Sequence, residues 1–331
     1  MSNANTTAQT SGWGSSRLRN WLLRPEAPAL IFIAALLVFF SITADGFLSG
    51  SNFESILDQV AVIGIIALAV NMVVLSGEID ISVGSMLGLC AVVAGLVAAE
   101  YGGLALPLLA GMATGAVAGS VNGLLVTLGR VPAIIVSLGM LYALRGLVTL
   151  ITGGSYVTAI PEESRQLGLG SVFGIATPIL VLFGLFAIMA LIGNYSTWGR
   201  NVYAIGGNRR ASRLAGLPLD RTRFLAFMTV GIFVGIAATI YMGRAGSVQT
   251  SAGSMLELEV IAAVVIGGTS IAGGRGSALA ALSGAVLIGV ILNGIVLLGV
   301  PGVWQNVVLG GLILLAITVD SIRRRLLEDD R

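Results

Sequence analysis

Residues Ile56 to Leu75 read ILDQVAVIGIIALAVNMVVL, and the chain then continues Ser76-Gly77-Glu78-Ile79-Asp80-Ile81 into a second apolar run over 82–99. An apolar stretch of about 20 residues is what a helix needs to cross roughly 30 Å of hydrocarbon. Working outward from this pair, comparable runs lie at 28–44, 104–127, 132–152, 176–194, 224–242, 257–273, 278–298 and 303–320. The pattern predicts an all-α polytopic membrane protein of about ten transmembrane helices. The run at 257–273 fits least well, because Glu257 and Glu259 stand at its start and glycines at its end.

Composition agrees. Hydrophobic residues make up 56% of the 331 residues and charged residues 10%, with a mean hydropathy of +0.97. Soluble domains carry about 25% charge to cover their surface. The 46 glycines suit helices packed backbone to backbone in a membrane. A net charge of +2 is too small to point to nucleic acid, and no nucleic-acid partner is expected.

Three absences narrow the chemistry. There is no histidine and no lysine, and Cys90 is the single cysteine. An internal disulfide and a structural zinc site are excluded by the cysteine count. Schiff-base catalysis needs a lysine, and so does a Walker A loop. No catalytic residue, no metal site and no cofactor are therefore expected on this chain, and it has no P-loop with which to hydrolyse ATP.

The arginines set a topology. With the N-terminus inside and the runs alternating, the inside segments hold Arg17, Arg19, Arg24, Arg130, Arg200, Arg209, Arg210, Arg213, Arg221, Arg223, Arg275, Arg323, Arg324, Arg325 and Arg331. The outside segments hold only Arg165 and Arg244, and Arg145 lies within a run. That bias follows the positive-inside rule and predicts both termini in the cytoplasm. Trp21, Trp198 and Trp304 fall at run ends, where interfacial anchors sit. The chain then divides into a polar cytoplasmic tail (1–26), a transmembrane domain (27–322) and a cytoplasmic C-terminal tail (323–331). The tail at the start is read as a mobile segment and not as a cleavable signal peptide.

The longest inside loop, about 195–223, carries six arginines and one acid, Asp220. Within it, Asn208-Arg209-Arg210-Ala211-Ser212-Arg213-Leu214-Ala215-Gly216-Leu217-Pro218 reads as a very short helix. Asn208 suits the N-cap, Gly216 the C′ position, and Pro218 follows the stop. Two turns are marginal alone in water, so such a helix must lie against its own protein or a partner.

Here the sequence resembles a known family. Ala211 to Pro218 looks like the cytoplasmic coupling motif of ATP-binding-cassette (ABC) importer permeases. Leu75 to Ser85, and Glu257 to Ser270 continuing through Gly273-Gly274-Arg275-Gly276-Ser277, resemble the sugar branch of that class, whose transmembrane domain is of the branched-chain type. That branch contains permeases for ribose, xylose, arabinose, galactose, rhamnose and autoinducer-2. Val131-Pro132 through Gly153-Gly154 also fits. The resemblance implies a multi-pass subunit of the bacterial cytoplasmic (inner) membrane. It implies cytoplasmic ABC ATPase subunits docking on 208–218, a second permease chain (identical or paralogous), an extracytoplasmic solute-binding protein, and a sugar-like solute. Two positions depart from the family: Glu78 stands where a second glycine is usual, and Glu259 where Asp is frequent.

The remaining polar residues each carry two readings. Glu78 and Asp80 are either solvated acids of an ordinary loop, or an acidic turn beside the transport path or a partner. Arg145 either lines the path or makes a structural pair or snorkels, since an arginine at membrane depth costs roughly 2.5–3.5 kcal/mol. Asn71, Asn122, Asn293 and Gln249 bond either a hydroxylated solute or neighbouring helices. Gly77, Gly84, Gly267, Gly268, Gly273, Gly274 and Gly276 mark tight, closely packed turns. An ion-coupled secondary transporter is the competing class, disfavoured because nearly every acid lies at a run end. An intramembrane enzyme, without histidine or lysine, would need an aspartyl pair or a serine with another base, and no two acids stand within different run centres.

Overall fold

The computed structural model describes residues 26–329, so the cytoplasmic-tail reading with its arginines at 17, 19 and 24 and Trp21, and also Arg331, lie outside the described residues. The protein is a bundle of helices: α1 (Ala27–Thr43), α2 (Gly50–Leu75), α3 (Val83–Tyr101), α4 (Ala105–Thr127), α5 (Ala133–Thr152), α6 (Gln166–Leu169), α7 (Thr177–Tyr195), α8 (Thr197–Gly207), α9 (Arg209–Leu214), α10 (Leu219–Ala245), α11 (Leu256–Ile266), α12 (Ala278–Leu297) and α13 (Val303–Asp329). Seven of them, α2, α3, α4, α5, α7, α10 and α12, are long and apolar enough to cross a membrane. The 17 residues of α1 and the apolar Val303–Leu315 part of α13 are shorter.

The run expected at 257–273 is not a regular span. Its helix, α11, ends at Ile266 after 11 residues, because Gly267 and Gly268 let the chain leave the helix, Gly268 at φ +115°. The ten-run reading therefore corresponds, among the described residues, to seven helices long enough to cross, two shorter apolar helices and one broken element.

Helix α2 is the central post. Its apolar stretch from Val60 to Leu75 is buried almost all round, against α7, α10, α11 and α12. Helices α5 and α7 are peripheral and expose Ile134, Ile135, Leu147, Phe183, Ile188 and Leu191, an apolar surface that suits lipid. The closest helix pair is α4 with α10. Gly111, Gly115, Gly119 and Gly123 recur every four residues down one face of α4, and they meet Gly235, Gly231, Phe227 and Phe224 of α10. A methyl group on Gly115 would collide with the Gly231 carbonyl. This is the small-residue packing by which membrane helices gain van der Waals contact without a hydrophobic driving force.

The two ends of the bundle differ. One end gathers the loops with Arg130, Arg200, Arg209, Arg210, Arg213, Arg221, Arg223 and Arg275. The opposite end holds a short hairpin, β1 (Ser171–Val172) with β2 (Ile175–Ala176), and the two arginines expected outside. There Arg244 pairs with Asp58 at 3.1 Å, and Arg165 Nε donates to the Gly243 carbonyl at 2.9 Å.

Candidate functional site

At the arginine-rich end, three segments meet backbone to backbone. The first is the turn after α2, where Gly77 has φ +80°. The second is the turn before α12, where Gly273 and Gly274 have φ +88° and +72°. The third is the C-terminal end of α8. The Gly274 amide donates to the Leu75 carbonyl at 2.9 Å. A Cβ on Gly274 would lie 2.6 Å from Gly207 Cα, and one on Gly273 would lie 3.0 Å from Gly206 Cα. The glycines read from sequence as packing turns thus pack against each other and against the loop. Tyr203 of α8 adds a hydroxyl bond of 3.1 Å to the Gly276 carbonyl, and the Trp198 indole N–H donates to the Thr222 carbonyl of α10 at 3.0 Å.

The six-residue α9 sits on this platform. Asn208 Oδ1 accepts from the Ala211 amide at 2.9 Å, which is the N-cap bond expected of that residue. At the other end Gly216 adopts φ +74°, and the Leu217 amide reaches back to the Ser212 carbonyl at 3.1 Å, closing the helix. Ser212 is buried and its hydroxyl donates to the Ala204 carbonyl of α8 at 2.9 Å. The opposite face, with Arg210, Ala211, Leu214 and Ala215, is open, and Leu214 is 84% exposed. A two-turn helix fixed on one side thus offers a large aliphatic side chain, flanked by arginines, outward from the bundle.

Beside α9 lies a cavity of about 840 Å³, lined by Glu78, Arg130, Arg209, Arg213, Asp220 and Arg223 among others. Glu78 is its centre. One carboxylate oxygen accepts from Arg209 at 3.3 Å and also from Arg223, whose side chain is 5% exposed. The residue that departs from the resembled family is therefore neither a solvated acid nor free. It ties the turn after α2 to α9 and to the start of α10.

The family described as "Branched-chain amino acid transport system / permease component" matches residues 52–317, a range that contains every contact just described. The chain belongs to this permease family. Among curated relatives, the "Ribose import permease protein RbsC" of Escherichia coli K12 is 36% identical over 320 residues, covering 95% of this chain and 99% of the relative. The "Autoinducer 2 import system permease protein LsrC" of Yersinia enterocolitica is 35% identical over 300 residues, covering 91% and 83%. The "Xylose transport system permease protein XylH" of E. coli K12 is 33% identical over 356 residues, covering 88% and 91%. No solved structure matches. With its apolar helices, the permease is a multi-pass protein of the inner membrane.

The other polar residues singled out in the sequence are placed as follows. Asn71 of α2 accepts from the Thr269 hydroxyl at 2.7 Å and donates to the Ser277 carbonyl at 3.3 Å, so it holds the second glycine turn. Asn293 of α12 donates to Asn52 Oδ1 of α2 at 2.8 Å. Asn122 of α4 donates to Asp80 at 3.2 Å and to Ser82 Oγ at 2.9 Å. All three bond neighbouring segments, the commoner use of amides between membrane helices. Asp80 is fully buried in the turn between α2 and α3, and also accepts from the Ser82 amide at 2.9 Å and its hydroxyl at 2.6 Å. Burial pushes its pKa up, against these hydrogen bonds.

Arg145 of α5 does not snorkel. Its Nη1 donates to the Ala252 carbonyl at 2.7 Å and to the Thr250 carbonyl at 3.3 Å. Gln249 stands in that same segment with an exposed side chain. Sequence reasoning did not find the α4 glycine stripe or this segment. The stripe was legible in the four-residue spacing of Gly111 to Gly123, whereas the segment carries no local signal beyond Gly246, Gly253 and its serines.

Proposed function

We propose that this permease is the membrane-spanning subunit of an ABC importer for a monosaccharide or related sugar-like solute (a pentose, hexose, deoxyhexose or autoinducer-2). The observation that carries the reading is the agreement of near-full-length relatives, since the ribose, autoinducer-2 and xylose permeases all align over 88–95% of this chain. Both termini lie in the cytoplasm, and ten membrane-crossing elements alternate between the two faces. The arginine-rich end is cytoplasmic, which accords with the positive-inside rule.

Energy comes from a separate ATPase subunit that receives the open face of α9. Leu214 is the apolar anchor of that contact, and the flanking arginines meet acids of the partner. A second permease chain completes the pore, and an extracytoplasmic binding protein delivers the solute to the opposite end. Closure of the ATPases on nucleotide displaces α9. Because α9 rests on α8, whose end packs on both glycine turns, and is joined through Glu78 to α10, the displacement is passed to the helices as a rigid-body movement.

The test is purification of the permease with its ATPase and binding protein, reconstitution in liposomes, and ATP-dependent uptake across a panel of labelled monosaccharides and autoinducer-2. Uptake of one member that needs ATP inside the liposome supports the reading. Uptake driven by a proton or sodium gradient without ATP replaces it with a secondary transporter.

A further inference from the structure

Between the end of α10 at Ala245 and the start of α11 at Leu256 the chain is not helical, yet it lies inside the bundle. Val248 pairs with Val157 in an antiparallel bridge, with bonds of 2.8 and 3.0 Å. From there the chain runs along α3. A Cβ on Gly95 would lie 3.4 Å from the Val248 side chain, one on Gly88 would lie 2.7 Å from the Ala252 carbonyl, and one on Gly84 would strike the Gly253 carbonyl. Gly84 to Gly95 is about 16 Å of helix at 1.5 Å per residue. Val248 to Gly253 runs alongside it as one bridge residue followed by turns, in which the Ala252 amide donates to the Gln249 carbonyl and the Ser254 amide to the Ser251 carbonyl, both at 3.0 Å. Mid-way lies Cys90, whose sulfur is 3.3 Å from the Cβ position of Gly115 at the centre of α4. This non-helical segment thus runs beside α3 at the level of the bundle's middle.

Its two faces differ. Val248 and Ala252 are buried against α3, while the side chains of Gln249, Ser251 and Ser254 are exposed. Arg145 closes the carbonyls of Thr250 and Ala252. Where the segment turns into α11, Glu257 Oε2 and Ser85 Oγ are buried with no hydrogen-bond partner in the protein, and a Cβ on Gly84 would collide with that same Glu257 oxygen. Irregular backbone at membrane depth is tolerated only where protein covers it or it lines a water-filled cavity. The surfaces that suit lipid, on α5 and α7, expose aliphatic and aromatic side chains instead.

We propose that this non-helical segment lines the translocation path, and that Gln249, Ser251 and Ser254 form its contact station for the hydroxyl groups of the solute. An amide and two hydroxyls are uncharged and both donate and accept, which matches a polyol that must be held weakly and released. The orphaned Glu257 and Ser85 oxygens take up water or solute hydroxyls behind it. Arg145 is a positioning residue that holds the segment's carbonyls and keeps its polar side chains turned out. The sugar contact rests on the importer reading above; the placement on the path does not.

The test uses the full complex in liposomes, carrying Cys90→Ala and one cysteine at 249, 251 or 254, or at the lipid-facing positions Leu138 and Leu191 as controls. The probe is a charged, membrane-impermeant methanethiosulfonate. Cysteines at 251 and 254 are expected to react about tenfold faster or more than those at 138 and 191, since only water carries the probe. The sugar identified by the uptake panel is expected to slow them severalfold. Reaction as slow as at the controls overturns the path assignment even in a complex that imports sugar with ATP. Fast reaction unaffected by a sugar that the complex does import overturns the contact station. Fast reaction in a complex that imports by an ion gradient upholds the path and sinks only the ABC reading.

Discussion

Glu78 and Arg223 form a buried ion pair that joins the turn after α2 to the first helical turn of α10, and the same carboxylate oxygen also holds Arg209 at the start of α9. The pair crosses between segments 145 residues apart in sequence, so it can transmit movement that no single helix could carry. Removing one member of a buried pair leaves the other charge uncompensated and costs about 3 kcal/mol or more. Glu78→Ala is therefore expected to lower the thermal unfolding temperature in detergent markedly, with Glu78→Gln, which keeps an acceptor oxygen, lying between it and the wild type. An unchanged unfolding temperature for Glu78→Ala would show that the pair contributes nothing to stability.

The glycine stripe of α4 makes a second expectation. Gly115→Ala places a methyl group on the Gly231 carbonyl, and overpacking of this kind costs about 1–3 kcal/mol. Gly139→Ala on α5 meets nothing within 4 Å and is expected to be neutral or slightly stabilising, because alanine loses less entropy in a helix. Measured side by side, equal unfolding temperatures for the two variants would refute close α4–α10 packing.

At α9 the cap and the open face are separable. Asn208→Ala removes the side-chain bond to the Ala211 amide and weakens the helix by about 1 kcal/mol. Leu214→Asp changes a side chain that is 84% exposed and should leave folding untouched. Under the importer reading, Leu214→Asp yields permease that is inserted and folded but purifies without its ATPase, while Asn208→Ala retains a reduced fraction. Full ATPase recovery with Leu214→Asp would remove Leu214 as the anchor.

Asp80 supplies a pH dependence. Its folded pKa lies above the ordinary carboxylate value of 3.8. A raised pKa means the folded state favours the proton, so the group's contribution is fully present below the unfolded pKa and is lost as pH rises through the folded one. Asn122 Oδ1 is buried and unpartnered, and a turned amide would present it to a protonated Asp80. Asp80→Asn mimics the protonated group. The unfolding temperature of wild type relative to Asp80→Asn should therefore be highest near pH 4 and decline toward neutral pH. A difference that grows in favour of wild type as pH rises would mean that the ionised carboxylate is the stabilised form.

Much of the fold was legible because hydrocarbon imposes a length and a composition on each crossing element. The runs around Ile56–Leu75 and 278–298 became helices α2 and α12 with little change of bounds. The short helix at 208–216 was legible because capping is local: Asn208 and Gly216 act on backbone groups three to five residues away. The run at 257–273 misled because hydropathy cannot distinguish a continuous helix from a short helix followed by a turn. Composition is the same in both, and only the backbone at Gly267 and Gly268, packed against α12, decides between them.

By itself, then, the sequence determined that this is a helical membrane protein, where its main helices lie, which end collects arginine, and that one loop carries a capped two-turn helix. Those properties depend on solvent transfer and on interactions within a few residues. The tertiary structure decided which polar residues are structural and which remain open. It committed Asn71, Asn122 and Asn293 to neighbouring segments, made Glu78 the link between α9 and α10, and set Arg145 on the carbonyls of a non-helical segment more than a hundred residues away. Each of those choices depends on which backbones approach closely enough to bond, and proximity of that kind is a property of the packed bundle, not of any one segment.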